Sequence, residues 1–451
     1  MIGHALRDLE LRVTSFGARW LPTTLVNLRN GVFTRVNGEE TIPVPQDGFT
    51  LKNVVSLYDN PNSRGRARGA RLSNLFWYWQ SPGAEVHQEN LEDGPVYGAV
   101  RWSTAERLAR HQEALPSRIE AHLDALPPPP SSGELRLTSW FIDAFTGLLY
   151  ETVFEEPPSP AIENLVRANA EDFLRALKGL KLRDMPLRRR LTEHLVERMA
   201  TAPEGFLAPA SEHLSRLQLA QYIQGVFFNT GIIQVAEAMA HIILCLAEHT
   251  EEQEKLASRL NDEPLLEAML RESLRLYPLF GIAHRITSGP IELEGGRRIP
   301  AGSVLCFNYK EIHQLGYEDP ECFRPERWLT SSDQQTYPFG FKKNRACPAE
   351  RYSVTLIKVA TRWALRRYRF RTAAHHTRSM PNFGPCLVAR REEQFTRLEE
   401  RLAEQRLRDQ REAIARSVRQ FFCMSWMTME ARRQRLMERF FERGGFGNPH
   451  A

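Results

Sequence analysis

The chain has 451 residues, 42% of them apolar and 25% charged, and carries a formal net charge of +5. That is an ordinary globular composition, rich enough in apolar residues for a sizeable core and too weakly basic for its length to point to nucleic acid. The first residues, Met1-Ile-Gly-His-Ala-Leu-Arg-Asp8, hold no apolar run of the secretory kind, and the longest apolar stretch, Gly231 to Ala247, is interrupted by Gln234, Glu237 and His241, so no membrane span is expected.

In chain order, residues 1–60 mix a short amphipathic segment with strand-like pieces, with turns at Gly38-Glu39 and Pro45–Gly48. Arg64-Gly-Arg-Ala-Arg-Gly69 reads as a basic loop. Phe76-Trp-Tyr-Trp79 reads as core or lid packing, with a ligand-pocket wall as the alternative. His87 to Leu91 reads as a short helical start. Apolar spacing predicts one helix over 101–126, with Leu108, Leu115, Ile119 and Leu123 on one face. A buried helix follows over 135–153. Two basic amphipathic helices lie between Ala161 and Met199, where Arg188-Arg-Arg190 is expected on a solvated face. Leu217 to His249 reads as a single long, mostly apolar helix. Helices over 251–260 and 265–277 come next, the second stopped by Pro278. Short strands are expected over 282–309, with a turn at Pro300-Ala-Gly302, then an irregular stretch over 313–338. A helix over 353–366 and strands over 368–372 and 386–389 complete this region.

Residues 391–451 shift to arginine and glutamate, with Phe395, Leu398 and Leu402, then Ile414, Val418, Phe421 and Phe422, at helical spacing. We read them as a charged helical extension to a domain spanning 1–390. A solvated or self-packed helix is the plain expectation; a partner-binding pair, a lid or a membrane-surface helix are the alternatives. The six cysteines, Cys245, Cys306, Cys322, Cys347, Cys386 and Cys423, form no C-x-x-C pair. A cytoplasmic protein is expected, with most of these thiols buried as small apolar residues.

Cys347 differs by context. It lies in Phe339-Gly-Phe-Lys-Lys-Asn-Arg-Ala-Cys347-Pro-Ala-Glu-Arg351, between a basic loop and the start of a helix. A helix N-terminus and the cations Lys342, Lys343 and Arg345 would favour a thiolate. Such a cysteine could be a nucleophile, a metal ligand or an inert core residue. Two further patterns precede it. Glu272-Ser-Leu-Arg275 places an acid and a base one turn apart on a helix, and Phe323-Arg-Pro-Glu-Arg327-Trp328 lies in an irregular stretch.

In the order and spacing of these three patterns the chain resembles the cytochrome P450 family of haem-thiolate enzymes, clearly over about 217–390 and more weakly upstream. The resemblance implies a mainly α (α+β) fold, with a long central helix over a haem b and small β-sheets. It makes Cys347 the thiolate ligand of the iron, and Arg345 with His284 or Arg285 the partners of the haem propionates. Glu272, Arg275 and Arg327 become a locking network behind the cysteine loop. The chain departs from the family pattern in one extra residue between Phe339 and Cys347, in Lys343 and Ala349 at positions where glycine is usual, and in lacking an evident Trp or His with Arg near His87 to Leu91. His87 is a candidate propionate partner; a satisfied surface histidine is the alternative.

On the oxygen side the family carries a small-Gly-x-acid-Thr run. One register aligns Thr230-Gly231-Ile232-Ile233-Gln234, which puts Gly231 beside the haem and Gln234 at the alcohol position. The other aligns Phe228-Asn229-Thr230, with Asn229 for the acid. Neither supplies a carboxylate. Thr230 and Gln234, four apart, are the candidate catalytic residues, with Glu237 a further candidate. Phe227, Leu279, Phe280, Ile282 and residues near Met380 to Phe383 are the candidate pocket wall.

The resemblance implies a monooxygenase acting on an apolar or amphipathic small molecule, and secondary metabolism is the expected setting. Electrons would come from a separate ferredoxin or flavodoxin and its reductase. Peroxide-driven oxidation, desaturation, a redox-neutral rearrangement and a non-catalytic haem scaffold whose extension contacts another protein are the alternatives.

Overall fold

The computed structural model describes residues 41–65, 71–110, 112–130, 133–293, 296–330, 336–341 and 344–447, together with Thr24 and Leu28. Lys342, Lys343, most of residues 1–40 and the Arg66–Gly69 part of the basic loop lie outside them. In chain order the helices are α1 Leu51–Tyr58, α2 Arg71–Gln80, α3 Pro95–Ala109, α4 Leu115–Asp124, α5 Leu137–Phe154, α6 Pro160–Leu177, α7 Met185–Ala200 and α8 Ala210–His213. They continue with α9 Arg216–Glu248, α10 Thr250–Ser258, α11 Glu263–Leu276, α12 Tyr309–Ile312, α13 Arg327–Thr330, α14 Glu350–Arg367, α15 Leu398–Gln434 and α16 Leu436–Glu442.

Among the described residues, three small sheets flank the helices. The largest joins β1 (Thr41–Val44), β2 (Ser63–Arg64), β4 (Ile282–Thr287) and β7 (Val304–Asn308) in the order β1-β7-β4-β2. β1 runs parallel to β7, and Ile282 of β4 pairs with Asn308. β3 (Glu134–Arg136), β8 (Tyr368–Arg371) and β9 (Pro385–Arg390) form the second sheet. β5 (Ile291–Glu292) and β6 (Arg298–Ile299) form the third.

α9 is the axis of the molecule. It is apolar almost all round, as a helix must be when neighbours cover every face. α5, α11, α14 and β8 supply those neighbours. By length and hydropathy α9 could cross a membrane, but its most apolar window is 78% buried inside the protein. Its start is fixed by a reciprocal cap: the Gln218 N–H donates to Ser215 Oγ, and the Ser215 N–H donates to Gln218 Oε1. Within it, Ile223–Gly231 winds as a π-helix, and the Ile232 N–H reaches back five residues to the Phe227 carbonyl.

Several expectations are corrected. The helix expected over 101–126 is two, α3 and α4, with turns at 110 and 112–114 between them, although Leu108, Leu115, Ile119 and Leu123 are all buried as the spacing requires. Residues 87–91 form turns, not a helical start. Of the Arg188–Arg190 run only Arg189 and Arg190 are exposed. Arg188 is completely buried, its Nε donating to Asp172 (2.8 Å) and its Nη1 to the Trp79 and Ser81 carbonyls. A charge run says nothing of which member turns inward on a helix; here the burial of Asp172 on α6 decides it. Cys322 is exposed, while Cys306, Cys347 and Cys423 are only half-buried.

The extension does not pack on itself alone. Met427 and Ala431 of α15 are buried against Leu75, Tyr78 and Trp79 of α2, and Met437 of α16 against Trp77 and Ala84. The aromatic run of α2 is therefore core, and the extension covers it. Arg136 also donates to Glu412 (3.0 Å), and Gln420 to the Lys178 carbonyl (2.8 Å).

Candidate active site

Cys347 ends an irregular loop, its N–H donating to the Phe339 carbonyl at 3.0 Å, and three residues later α14 begins. The thiol lies at the N-terminal end of α14, and the Ala349 N–H points at it. It keeps part of its surface accessible, yet burial pushes its pKa up to about 11, with Glu350 and Glu89 adding to the rise. The Ala349 N–H and the charge of Arg101 work the other way. Among the described residues, burial outweighs the Ala349 N–H and Arg101. Arg345 is turned away, and Lys342 and Lys343 lie outside the described residues. A cation bound at the sulfur would favour the thiolate.

Arg345 takes a left-handed conformation (φ 56°) and buries its side chain under residues 88–93. Its Nη1 donates to the Gln88 carbonyl (3.0 Å) and its Nη2 to the Leu91 carbonyl (2.7 Å) and Asp93 (2.9 Å); its guanidinium lies 4.4 Å from the Tyr97 ring centre. Gly65 makes room for it, since a Cβ there would come within 2.8 Å of the Arg345 guanidinium carbon. Asn344 pins the same loop to the Tyr58 and Ser63 carbonyls.

His284 and Arg285, alternating on β4, face opposite ways. His284 turns to Cys306 (3.7 Å) and the Phe76 ring. Arg285 turns to the Arg345 side: it donates to the Tyr58 hydroxyl and has Glu89 at 3.7 Å. Of the two, Arg285 is the one the fold brings near the cysteine loop.

Behind the loop, Glu272 is fully buried and accepts five hydrogen bonds. Arg275 gives two, Nε at 2.9 Å and Nη2 at 2.8 Å, and Arg327 Nε one at 3.1 Å. The Arg324 N–H (2.9 Å) and Trp328 Nε1 (2.9 Å) supply the rest. Arg275 also donates to the Pro320 and Cys322 carbonyls, and Tyr317 lies against both guanidiniums. Each charge is paired and hydrogen-bonded, as buried charges must be.

On the central helix, Thr230, the last residue but one of the π segment, meets His87 Nε2 at 3.1 Å. His87 is thus not a surface residue; it is buried against α9. The Glu89 N–H donates to its Nδ1, so in the neutral ring Nε2 carries the proton and donates to Thr230 Oγ. Gly231 follows; a Cβ there would lie 3.3 Å from the Val226 carbonyl. Gln234, one turn on, has a buried Oε1 with no partner among the described residues. Asn229 points elsewhere, accepting from Asn169 on α6 at 2.5 Å, and Ile233 is buried in the core. Glu237 is paired with Lys178 (2.6 Å).

The pocket candidates are divided. Phe227 is buried against Tyr222, and Met380 lies in the main core. Leu279 is half-buried, while Phe280 and Ile282 stand exposed at the start of β4. Sequence reasoning missed Tyr97 and Arg101 on α3 and the role of residues 87–93. Gly94-Pro95 marks that helix start, and Tyr97 and Arg101 sit one turn apart on it; this was the available signal.

A family model described as Cytochrome P450 matches residues 208–396. Over these residues the chain carries a cytochrome P450 domain. Curated relatives include cyclooctat-9-en-7-ol 5-monooxygenase of Streptomyces melanosporofaciens, 30% identical over 31% of this chain and 36% of that protein. Another is cytochrome P450 monooxygenase pyr9 of Aspergillus fumigatus, 33% identical over 38% of this chain and 36% of that one. The alignments span about a third of the length of these relatives. Among solved structures, ligand-free cytochrome P450 OleT superposes with a TM-score of 0.63 at 16% identity, covering 79% of this chain and 91% of that one. A zebra fish cytochrome P450 with abiraterone gives 0.63 at 18%, covering 78% and 94%.

Haem b is the cofactor of this family, and the donor set of this chain fits it. One partly accessible thiol lies at a helix start. Beside the loop, Arg285 and Arg345 each bury an Nε with no hydrogen-bond partner among the described residues, cationic donors suited to the carboxylates of the porphyrin.

Proposed function

We propose that this cytochrome P450 is a cytoplasmic monooxygenase. It would place oxygen from dioxygen on an apolar or amphipathic small molecule of secondary metabolism. Electrons would come from a separate ferredoxin- or flavodoxin-type donor with its reductase, and residues 391–451 extend the catalytic domain of 1–390. The observation that carries the reading is the segment 87–93. It joins the cysteine loop, through Arg345, to the central helix, through His87 and Thr230. The monooxygenase names of the two curated relatives support the same class.

Cys347 would hold the iron, and Arg345 and Arg285 the propionates. The haem, when bound, supplies the one-electron and oxygen chemistry. The rest falls to side chains. His87 Nε2–H, donating to Thr230 Oγ, leaves the threonine's own O–H to donate into the site. Gln234 Oε1 offers an acceptor there. Glu272 holds Arg275 and Arg327 behind the loop, so that the sulfur is fixed before any ligand arrives. Phe280 and Ile282, with Leu279 and Phe227, supply apolar surface for the substrate.

A second reading, peroxide-driven or redox-neutral chemistry, is favoured by one feature: no carboxylate stands at the acid position in either register, where Ile233 is buried and Asn229 is engaged by Asn169. Turnover of the haem-loaded protein with dioxygen and electron donors, and separately with peroxide, distinguishes the two. The Cys347→His protein is expected to lose the thiolate-type carbon monoxide spectrum; retention of that spectrum would refute the ligand assignment.

A further inference from the structure

The outer face of α15 is the least expected surface of the molecule. Val418, Phe422, Trp426 and Met429 recur at intervals of four, four and three residues, so they share one side of the helix. They are 40%, 66%, 54% and 55% exposed. The opposite side, with Met427, Thr428 and Ala431, is buried on the domain, so the helix is already docked and its exposed stripe is additional. A continuous row of large apolar side chains on a surface marks an interaction site.

Its surroundings are cationic. Residues 411–443 hold eight arginines, four glutamates and no lysine or aspartate. Arg411 and Arg419 stand exposed at one end of the stripe, and Arg432 and Arg433 at the other. Arg419 and Arg432 have no ion pair among the described residues. A second copy of the chain would bring like charges together across such a face. Aromatic and sulfur side chains bordered by arginine suit the headgroup boundary of an anionic bilayer, where the rings enter the acyl edge and the guanidiniums meet phosphates and carboxylates.

We propose that the outer face of α15 docks this protein on an anionic lipid surface, with Phe422 and Trp426 inserted. The helix lies in the interface plane and spans nothing. The docking does not depend on the haem reading, since none of its residues touches the cysteine loop.

Sedimentation of the full-length protein with phosphatidylserine–phosphatidylcholine vesicles, and with phosphatidylcholine alone, tests it. Binding is expected to the anionic vesicles and to weaken with salt. The Phe422→Glu/Trp426→Glu protein is expected to bind at least about tenfold less, with an unchanged thermal midpoint because both side chains are exposed. Arg419→Gln/Arg432→Gln is expected to lower both affinity and salt dependence. Equal binding to neutral and anionic vesicles, or binding to neither, would overturn the proposal. A concentration-dependent dimer abolished by the Phe422→Glu/Trp426→Glu change would overturn it in favour of a second copy.

Discussion

His313 shows how single residues here respond to burial. The Tyr337 N–H donates to its Nε2 at 3.1 Å, so the ring is held neutral, and burial lowers its pKa to about 4 from the ordinary 6.5. Below pH 6.5 the unfolded chain takes up a proton that the folded chain refuses. The stability tied to His313 is therefore complete above pH 6.5, drains as the pH falls toward 4, and amounts to roughly 3 kcal/mol. Burial lowers His241 and His376 in the same direction. A His313→Gln protein, whose amide oxygen can still accept from Tyr337, should show a flatter dependence of the urea midpoint on pH between 6.5 and 4. Superimposable curves for the two proteins would contradict this. Legibility at this scale was uneven. Glu272, Arg275, Arg327 and Cys347 stood out because paired charges and a cysteine at fixed spacing are local signals. Arg188 did not, because its partner Asp172 lies sixteen residues away on another helix, and nothing local distinguishes it from Arg189. His87 was legible only as a histidine, since its partner Thr230 is 143 residues downstream.

At the scale of elements, most helices were readable from apolar period, and α9, α10, α11 and α14 fall within a few residues of their expected bounds. The exceptions are physical. The break between α3 and α4 interrupts a stripe whose apolar residues stay in phase, so period alone joins the two. The π segment of α9 is invisible to period because every face of that helix is covered. The α6–α7 turn illustrates a tighter constraint. Gly179 ends α6 in a left-handed conformation (φ 69°), and a Cβ there would lie 2.6 Å from Met424 Cγ on α15. Gly179→Ala should therefore cost about 1–3 kcal/mol through backbone strain and displacement of Met424. Faster amide exchange in α15, near Gln420, is the sign to look for; unaltered exchange and midpoint would show that the turn absorbs the methyl.

For the whole molecule, the sequence marked a compositional boundary at residue 390 but could not show that the extension is cover for the domain. Its inward contacts, among them Met427, Ala431, Met437 and Phe440, are scattered among arginines, too sparse for a sequence pattern to assign a partner face. Ending the chain at Arg390 would uncover Leu75, Trp77, Tyr78 and Trp79, each exposed side chain costing about 1.5–3 kcal/mol. Such a protein should melt at lower temperature and bind a hydrophobic dye; an unchanged midpoint without dye binding would mean that α2 finds other cover. The same arrangement has a consequence for synthesis. Asn74 on α2 donates to Glu438 on α16, 364 residues later. At roughly 5–20 residues per second, the aromatic face of α2 leaves the ribosome on the order of 20–70 seconds before its cover is made. Throughout that interval Trp77 and Trp79 lack their final neighbours, which makes the nascent chain a client for chaperones that bind aromatic segments.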